Sequence, residues 1–500
     1  MLFPPPQASI KNRAWAKAIA HTGVEFAPTP LAPVSGRIPP GLRGSLYRNG
    51  PARLERGGRR VGHWFDGDGA MLGVHFRDNG ATGVYRFVKT EGYLADEAAG
   101  TLTCGSYGTI DPNPQLSALF KPIRKLLKNP ASVSALPLDD RLLALWDQGH
   151  PYVLDLETLE TRGEDTLGQL DDGQAYAAHY KRDGRTGEIY SFGITYDLHP
   201  ALNVYASDPT GQIRQQTAID LHCLPLVHDF ILAGPYLVFF ISPVRLNPFP
   251  VLAYQKSFGD CLGWHPELGT QILVLDRYSL RVISRGETDP WFQWHFGNGY
   301  VDADGCIVAD MVRYEDFATN EYLKEVGLLN IQTAAPGTLW QVRLDPQSAT
   351  VREAVEVLPL GGEFPVVNLQ EVGYYSRYTY LSTYRPGADV GRDLWGTIAR
   401  FDSETGDATI ADIGENCYAT EPVRAPDVLD PDRGWILTVV FDGDRETSEV
   451  WIFDGDRLDD EPVCKLALPG IIPISYHGTW RMGHGSWCVS LSLNTPYNFE

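Results

Sequence analysis

Twelve histidines are the side chains in this sequence best suited to hold a metal ion. Taken singly, most histidines are surface or core residues. Local spacing does not help, because there is no HExxH, no HxH and no close pair on a helix face. Four stand apart in apolar settings: His179 (AYAAHY), His228 (LPLVHDF), His295 (WFQWHFGN) and His477 (PISYHGTW). They are 49, 67 and 182 residues apart, and the last interval is close to three times the mean of the first two. A radial array of repeats gives such spacing when each histidine comes from a different repeat and two intervening repeats contribute none. The inner strands of such an array converge on its axis, so residues remote in sequence meet there. Spacing alone leaves the four undecided between ligands and ordinary core.

The elements that would position them are short strands. Runs such as GSLYRNG, RLLALWD, YVLDLET, YLVFFIS, QILVLDR, GTIARFD and SEVWIFD recur, several with period-two alternation, between Gly, Asp, Asn and Pro turns. Asp-Gly and Gly-Asp pairs at 66–69, 78–80 and 442–444 read as hairpin turns. Asp66 and Asp68 have the look of a calcium loop, but the rest of that motif is missing and the hairpin is the better reading. The pattern fits an all-β array, either a propeller with diverged blades or a large sandwich, spanning residues 1–500 as one domain. Residues 115–128 (QLSALFKPIRKLLK) differ: six apolar residues at helical spacing alternate with four cations. Pro122 splits them into two short helices. They read as a surface packing helix or as a patch that touches a membrane interface.

The formal net charge of −21 excludes nucleic acid as a natural partner. The seven cysteines are odd in number and form no CxxC, which fits reduced thiols in the cytoplasm. The first twenty residues lack a basic start followed by an apolar run, so no signal peptide is expected. The greasiest stretch, 230–241, is interrupted by Gly234 and Pro235 and reads as two buried strands and a turn.

Several motifs make the reading more specific. GSLYRNGP (44–51), WFDGDGAM (64–71), RLLALWD (141–147), the four histidine segments, GEFPVV (362–367), ATEPV (419–423) and IPISYHGTW (472–480) run through nearly the whole chain. In these the sequence resembles the carotenoid cleavage oxygenase family, most closely its cyanobacterial-type, retinal-forming apocarotenoid oxygenases. The resemblance implies a seven-bladed β-propeller with a helical cap, and Fe(II) on the axis held by His179, His228, His295 and His477. It also implies outer carboxylates: Glu363 paired with His295, Glu421 with His477, and Asp147 with His228. The family usually has Glu at the position of Asp147, and the missing methylene leaves that contact open. His484 repeats the HGxW motif and is a rival to His477, whose upstream IIPISY context favours it.

Such a set has a chemical rationale. Four neutral imidazoles leave the charge of a divalent ion uncompensated, and carboxylates just outside offset it and fix which ring nitrogen faces the metal. Four protein ligands leave octahedral positions open for O2 as co-substrate. The resemblance supplies iron, since an all-histidine site discriminates poorly among metals. A polyene path must be apolar, and Phe65, Trp146, Phe296 and Tyr93 are its candidates, with core packing the competing reading for each. The expected reaction is oxidative cleavage of an apocarotenoid double bond to two carbonyl products, one of them retinal. The expected enzyme is a cytoplasmic monomer in transient contact with a membrane surface. Two alternatives stand beside this reading. One is cleavage of a stilbenoid, although lignostilbene-type members tend to carry Lys at the position of Trp146. The other is a non-catalytic propeller that binds a partner on its cap.

Overall fold

The computed structural model describes residues 13–113, 123–196, 199–430 and 432–483. Their alternating strands pair into seven antiparallel sheets of four to six strands, the blades of a propeller. Five blades are continuous in sequence. Their first strands are Ser134–Pro137, Lys181–Arg182, Ile231–Ala233, Phe296–Val301 and Gly362–Val366, and we number these blades one to five. Blade six is built from Cys417–Ala419 to Cys464–Ala467 and takes its outermost strand, Pro33–Gly36, from the start of the chain. Blade seven closes the ring. Its inner strand Gly478–Met482 pairs antiparallel with Gly44–Arg53, with Leu46 opposite Trp480. A sandwich, the competing architecture, is thereby excluded.

Blade sheets are hydrophobic on both faces because each packs between two neighbours. Strands such as Tyr236–Ile241 and Gly434–Asp442 therefore read as unbroken apolar runs. The 230–241 stretch folds as expected, Ile231–Ala233 and Tyr236–Ile241 flanking the turn at Gly234 and Pro235. The 78–80 and 442–444 turns also join hairpins. The 66–69 segment does not. Trp64–Asp66 forms a 3-10 turn and the next strand starts at Asp68. The two acids are used otherwise: Asp66 accepts from the Gly108 N–H (2.9 Å) and the Thr109 hydroxyl (2.6 Å), while Asp68 pairs with Arg56 and with buried Lys128.

Four α-helices occur among the described residues, and none is long and apolar enough to cross a membrane. Helix α1 (Ala14–Ala20) buries Trp15 and Ile19. Helix α2 (Glu91–Ala99) begins at a Thr90 cap and ends at Gly100 in the left-handed conformation. Helices α3 (Pro248–Leu252) and α4 (Ala318–Gly327) complete the set. Helix α4 lies so close to the Trp64–Asp66 turn that a Cβ on Gly327 would sit 2.5 Å from the Trp64 nitrogen. Residues 115–122 lie outside the described residues. The segment resumes as a 3-10 turn, Ile123–Leu126.

Candidate metal centre

The seven blades divide their work at the axis. His179, His228, His295 and His477 each sit one to three residues before the inner strand of blades two, three, four and seven. The 182-residue interval spans blades five and six, which contribute no histidine to the cluster. The three blades without one supply carboxylates: Asp147 follows the second strand of blade one, Glu363 lies in the inner strand of blade five, and Glu421 follows the first strand of blade six.

The four imidazoles converge. Ring centroids of His179 lie 4.5, 4.8 and 4.6 Å from those of His228, His295 and His477, and His295 lies 4.8 Å from His477. Potential donor atoms of His179, His228 and His295 all fall within 4.8 Å of one another. Three of the rings are oriented from behind. His228 Nδ1 bonds Asp147 at 2.7 Å, His295 Nδ1 bonds Glu363 at 2.6 Å, and His477 Nδ1 bonds Glu421 at 2.9 Å. Each carboxylate also accepts a backbone N–H, from Ala178, Phe364 and Gly478 respectively. The shorter Asp147 thus reaches its histidine directly, with a side chain 21% exposed against 3% for Glu363.

Local backbone explains two of these placements. The strand carrying Glu363 breaks register after it, and Phe364 takes φ 59°, a costly conformation for a bulky residue. This bend lets the Glu363 carboxylate face His295 and the Phe364 ring face both His295 and His477, each at 5.3 Å. Buried Arg48, from the GSLYRNGP motif, donates to the carbonyls of Glu421 (2.6 Å) and Tyr476 (3.0 Å), tying the carboxylate and histidine segments together.

Electrostatics favour the neutral imidazole at two of the rings. Burial, reinforced by the neighbouring rings, holds His179 and His295 well below the ordinary histidine range. Burial acts the same way on His228, but the charge and hydrogen bond of Asp147 outweigh it and raise its pKa. Burial pushes Glu363 up to about 7, although the Phe364 N–H and the Tyr314 hydroxyl (2.7 Å) oppose it. The donor set fits a metal ion. His179 Nε2 is buried without a hydrogen-bond partner, carboxylates occupy Nδ1 of the other three, and the Nε2 atoms of His228 and His295 lie 3.3 Å apart, close enough to share one cation.

Two cavities flank the cluster. One lies against His228, His295 and His477 and is walled by Phe65, Trp146, Trp294, Phe364, Trp395 and Tyr476. The other touches His179, His295 and His477 and is more polar, with Lys181 paired to Asp229 at 2.9 Å. Phe65 and Trp146 therefore line the apolar cavity. Phe296 borders the polar one and packs against Phe240. Tyr93 lines neither; it stacks on Phe87 with Arg56 5.2 Å from its ring. Trp64, Trp294, Phe364, Trp395, Tyr476 and Tyr314 were not singled out from the sequence. For all but Trp395 and Tyr314 the available signal was adjacency to a residue already chosen. His484 lies outside the described residues. The last cation of the amphipathic segment, Lys128, is buried against Asp68 and Asp96 instead of facing outward, and Leu127 borders the apolar cavity.

A propeller whose axis gathers histidines and carboxylates beside an aromatic cavity has the donor set of a metal centre. Residues 19–482 match the model of the retinal pigment epithelial membrane protein (RPE65) family, and the chain belongs to that family, the carotenoid oxygenases. It is 31% identical to apocarotenoid-15,15'-oxygenase of Synechocystis sp., over 96% of this chain and 99% of that protein. It is 26% identical to resveratrol cleavage oxygenase 1 of Aspergillus fumigatus, covering 90% and 92% of the two chains. Among solved structures, a Synechocystis apocarotenoid oxygenase mutant superposes with a TM-score of 0.85 at 30% identity, covering 94% of this chain and 98% of that one. The cobalt-substituted form of the Synechocystis enzyme gives 0.83 at 29% identity with the same coverage.

Proposed function

We propose that this protein is an iron(II) dioxygenase that cleaves one C=C bond of an apocarotenoid polyene, with retinal as one product. The observation that carries the reading is the convergence of four histidines from four blades, three of them held through Nδ1 by carboxylates, beside an apolar aromatic cavity that His228, His295 and His477 border. His179, His228, His295 and His477 would hold the ion, which supplies O2 binding and activation. Both atoms of O2 enter the products: the double bond is lost and each of its carbons becomes a carbonyl, with no reductant required.

The protein's own groups do the rest. Asp147, Glu363 and Glu421 keep the Nδ1 proton on their partners and hold each Nε2 toward the centre. Phe65, Trp146 and Trp294 exclude water and hold a rigid polyene across the cluster; their faces favour positive charge developing on the chain. That a cobalt-substituted Synechocystis relative exists supports a metal here. The relative named for resveratrol cleavage keeps a stilbenoid substrate as the second reading, but Trp146 on the cavity wall offers no cation to a phenol oxygen. A non-catalytic propeller would have no use for the carboxylate-backed histidines. The enzyme would work as a cytoplasmic monomer and collect substrate at a membrane surface through residues 115–128, whose Leu127 borders the cavity.

The test is aerobic incubation of iron-loaded protein with apocarotenals and with a hydroxystilbene, followed by mass analysis. Two carbonyl fragments from the polyene, carrying label from 18O2, are expected. Cleavage of the stilbene alone would replace the substrate assignment, and cleavage of neither would overturn the reading.

A further inference from the structure

The apolar cavity holds two buried hydrogen-bond donors that the protein does not use. Tyr476 and Trp64 line it and are 4% and 1% exposed, and Tyr476 Oη and Trp64 Nε1 are buried without a hydrogen-bond partner. Other unpartnered buried atoms occur elsewhere among the described residues, but these are the two on this wall. They are also neighbours, with ring centroids 4.7 Å apart in an edge-on arrangement. The nearby carboxylate does not serve them: Asp66 is engaged by the Gly108 N–H and by Thr109. Three other donors of the lining residues are committed, with Tyr107 donating to Asn320, Tyr314 to Glu363 and the Trp294 indole to Thr319. Buried Tyr and Trp normally find a partner for their polar tip. In ligand cavities that are otherwise apolar, the few polar groups fix the orientation of what binds.

We propose that the Tyr476 hydroxyl and the Trp64 indole N–H form a donor pair that binds the oxygen of the substrate's end group, a carbonyl or hydroxyl oxygen able to accept both. The inference rests on the polyene reading and sharpens it. The pair sits on the wall that carries His477, one residue from Tyr476, and Tyr476 touches Phe65 at 5.8 Å. An oxygen anchored there fixes how far the chain extends past the metal centre, and therefore which double bond lies over it. A site built to bond a substrate oxygen discriminates strongly against an analogue without one, because its donors are then left unpaired.

The test compares an apocarotenal, the corresponding apocarotenol and a polyene hydrocarbon of equal length. The wild-type protein should prefer the oxygenated pair by about 10-fold or more in kcat/KM. In Tyr476→Phe, and separately in Trp64→Phe, the ratio between oxygenated and hydrocarbon substrates should fall several-fold, and the position of cleavage should become mixed. A purely structural role would scale both substrates alike and leave the ratio unchanged, which would overturn the proposal. Retained iron stoichiometry shows that His477 is undisturbed. Binding to metal-free protein, read by quenching of tryptophan fluorescence, supplies a second arm: the aldehyde should bind about 10-fold more tightly than the hydrocarbon, and Tyr476→Phe should erase the difference. Equal binding of both by wild type would also overturn the donor pair. Discriminating binding without turnover would overturn the cleavage reading alone.

Discussion

Replacing Glu363 with Gln separates the metal's need for a carboxylate from the protein's. Glu363 is 2% exposed and accepts from His295 Nδ1 at 2.6 Å, the Phe364 N–H at 2.6 Å and the Tyr314 hydroxyl at 2.7 Å. Gln preserves this shape: its carbonyl can take the place of Oε2, facing His295 and Phe364, while its amide faces the Tyr314 oxygen. What is lost is the charge. A hydrogen bond to a charged group contributes about 1–2 kcal/mol more than a neutral one, and loss of such a partner typically weakens metal binding about 10–100-fold. In the metal-free protein the sign reverses. Burial raises Glu363 from 4.5 to about 7, so the folded state favours the neutral carboxyl. That stabilisation is complete below pH 4.5 and disappears as pH rises through 7, a difference of about 3 kcal/mol at ~1.4 kcal/mol per unit. Glu363→Gln, neutral at every pH, should leave metal-free stability equal or higher above pH 7 while Fe(II) affinity falls. Urea denaturation of chelator-treated protein at pH 5.5 and 8, paired with anaerobic Fe(II) titration, measures both. A variant that loses metal-free stability at pH 8 but keeps its Fe(II) affinity would refute the reasoning.

Three further outcomes follow from the same geometry. Each of His179→Ala, His228→Ala, His295→Ala and His477→Ala should abolish stoichiometric iron binding and turnover, while His484→Ala retains both; metal analysis after gel filtration decides between His477 and His484. Asp147→Asn should cost less than Glu363→Gln, about 10-fold or under in Fe(II) affinity, because Asp147 is partly open to solvent. Wild-type affinity should fall as pH drops through the raised pKa of His228, whose proton competes with the metal, and that dependence should flatten in Asp147→Asn. Changing Leu119, Phe120 and Ile123 together to Ser should weaken flotation with liposomes and raise the apparent KM for membrane-presented substrate, with detergent-dispersed substrate turned over as before; unchanged flotation would remove the docking role.

An all-β array is legible in local signals, short strands and frequent turns, but those signals left a propeller and a sandwich open, and the family resemblance chose between them. The carboxylates are not legible that way. Asp147 lies 81 residues from His228 and Glu363 lies 68 from His295, and no periodicity joins them. Only the family resemblance pointed to these pairs. Side-chain direction was the weakest inference. Phe296 follows His295 directly, yet it turns into the contact between blades three and four and packs on Phe240. Tyr93 is drawn to Phe87 and two arginines on the blade-seven side. Trp395 reaches the cavity from a loop whose sequence gives no sign of it. The acids of WFDGDG looked like a turn because a sequence does not reveal that Lys128, 60 residues later, pairs with Asp68.

The strand that closes the ring also follows the last of the four clustered histidines. Gly478–Met482 pairs with Gly44–Arg53, and His477 immediately precedes it. During synthesis three corners of the centre can assemble while the fourth is still in the ribosome, and a chain halted before residue 477 has neither closure nor a complete ligand set. If the four histidines hold an ion as proposed, metal loading would report on translation as well as on folding, because the fourth ligand and the closing strand are made together. Under that proposal a truncated or misjoined chain would lack the complete centre.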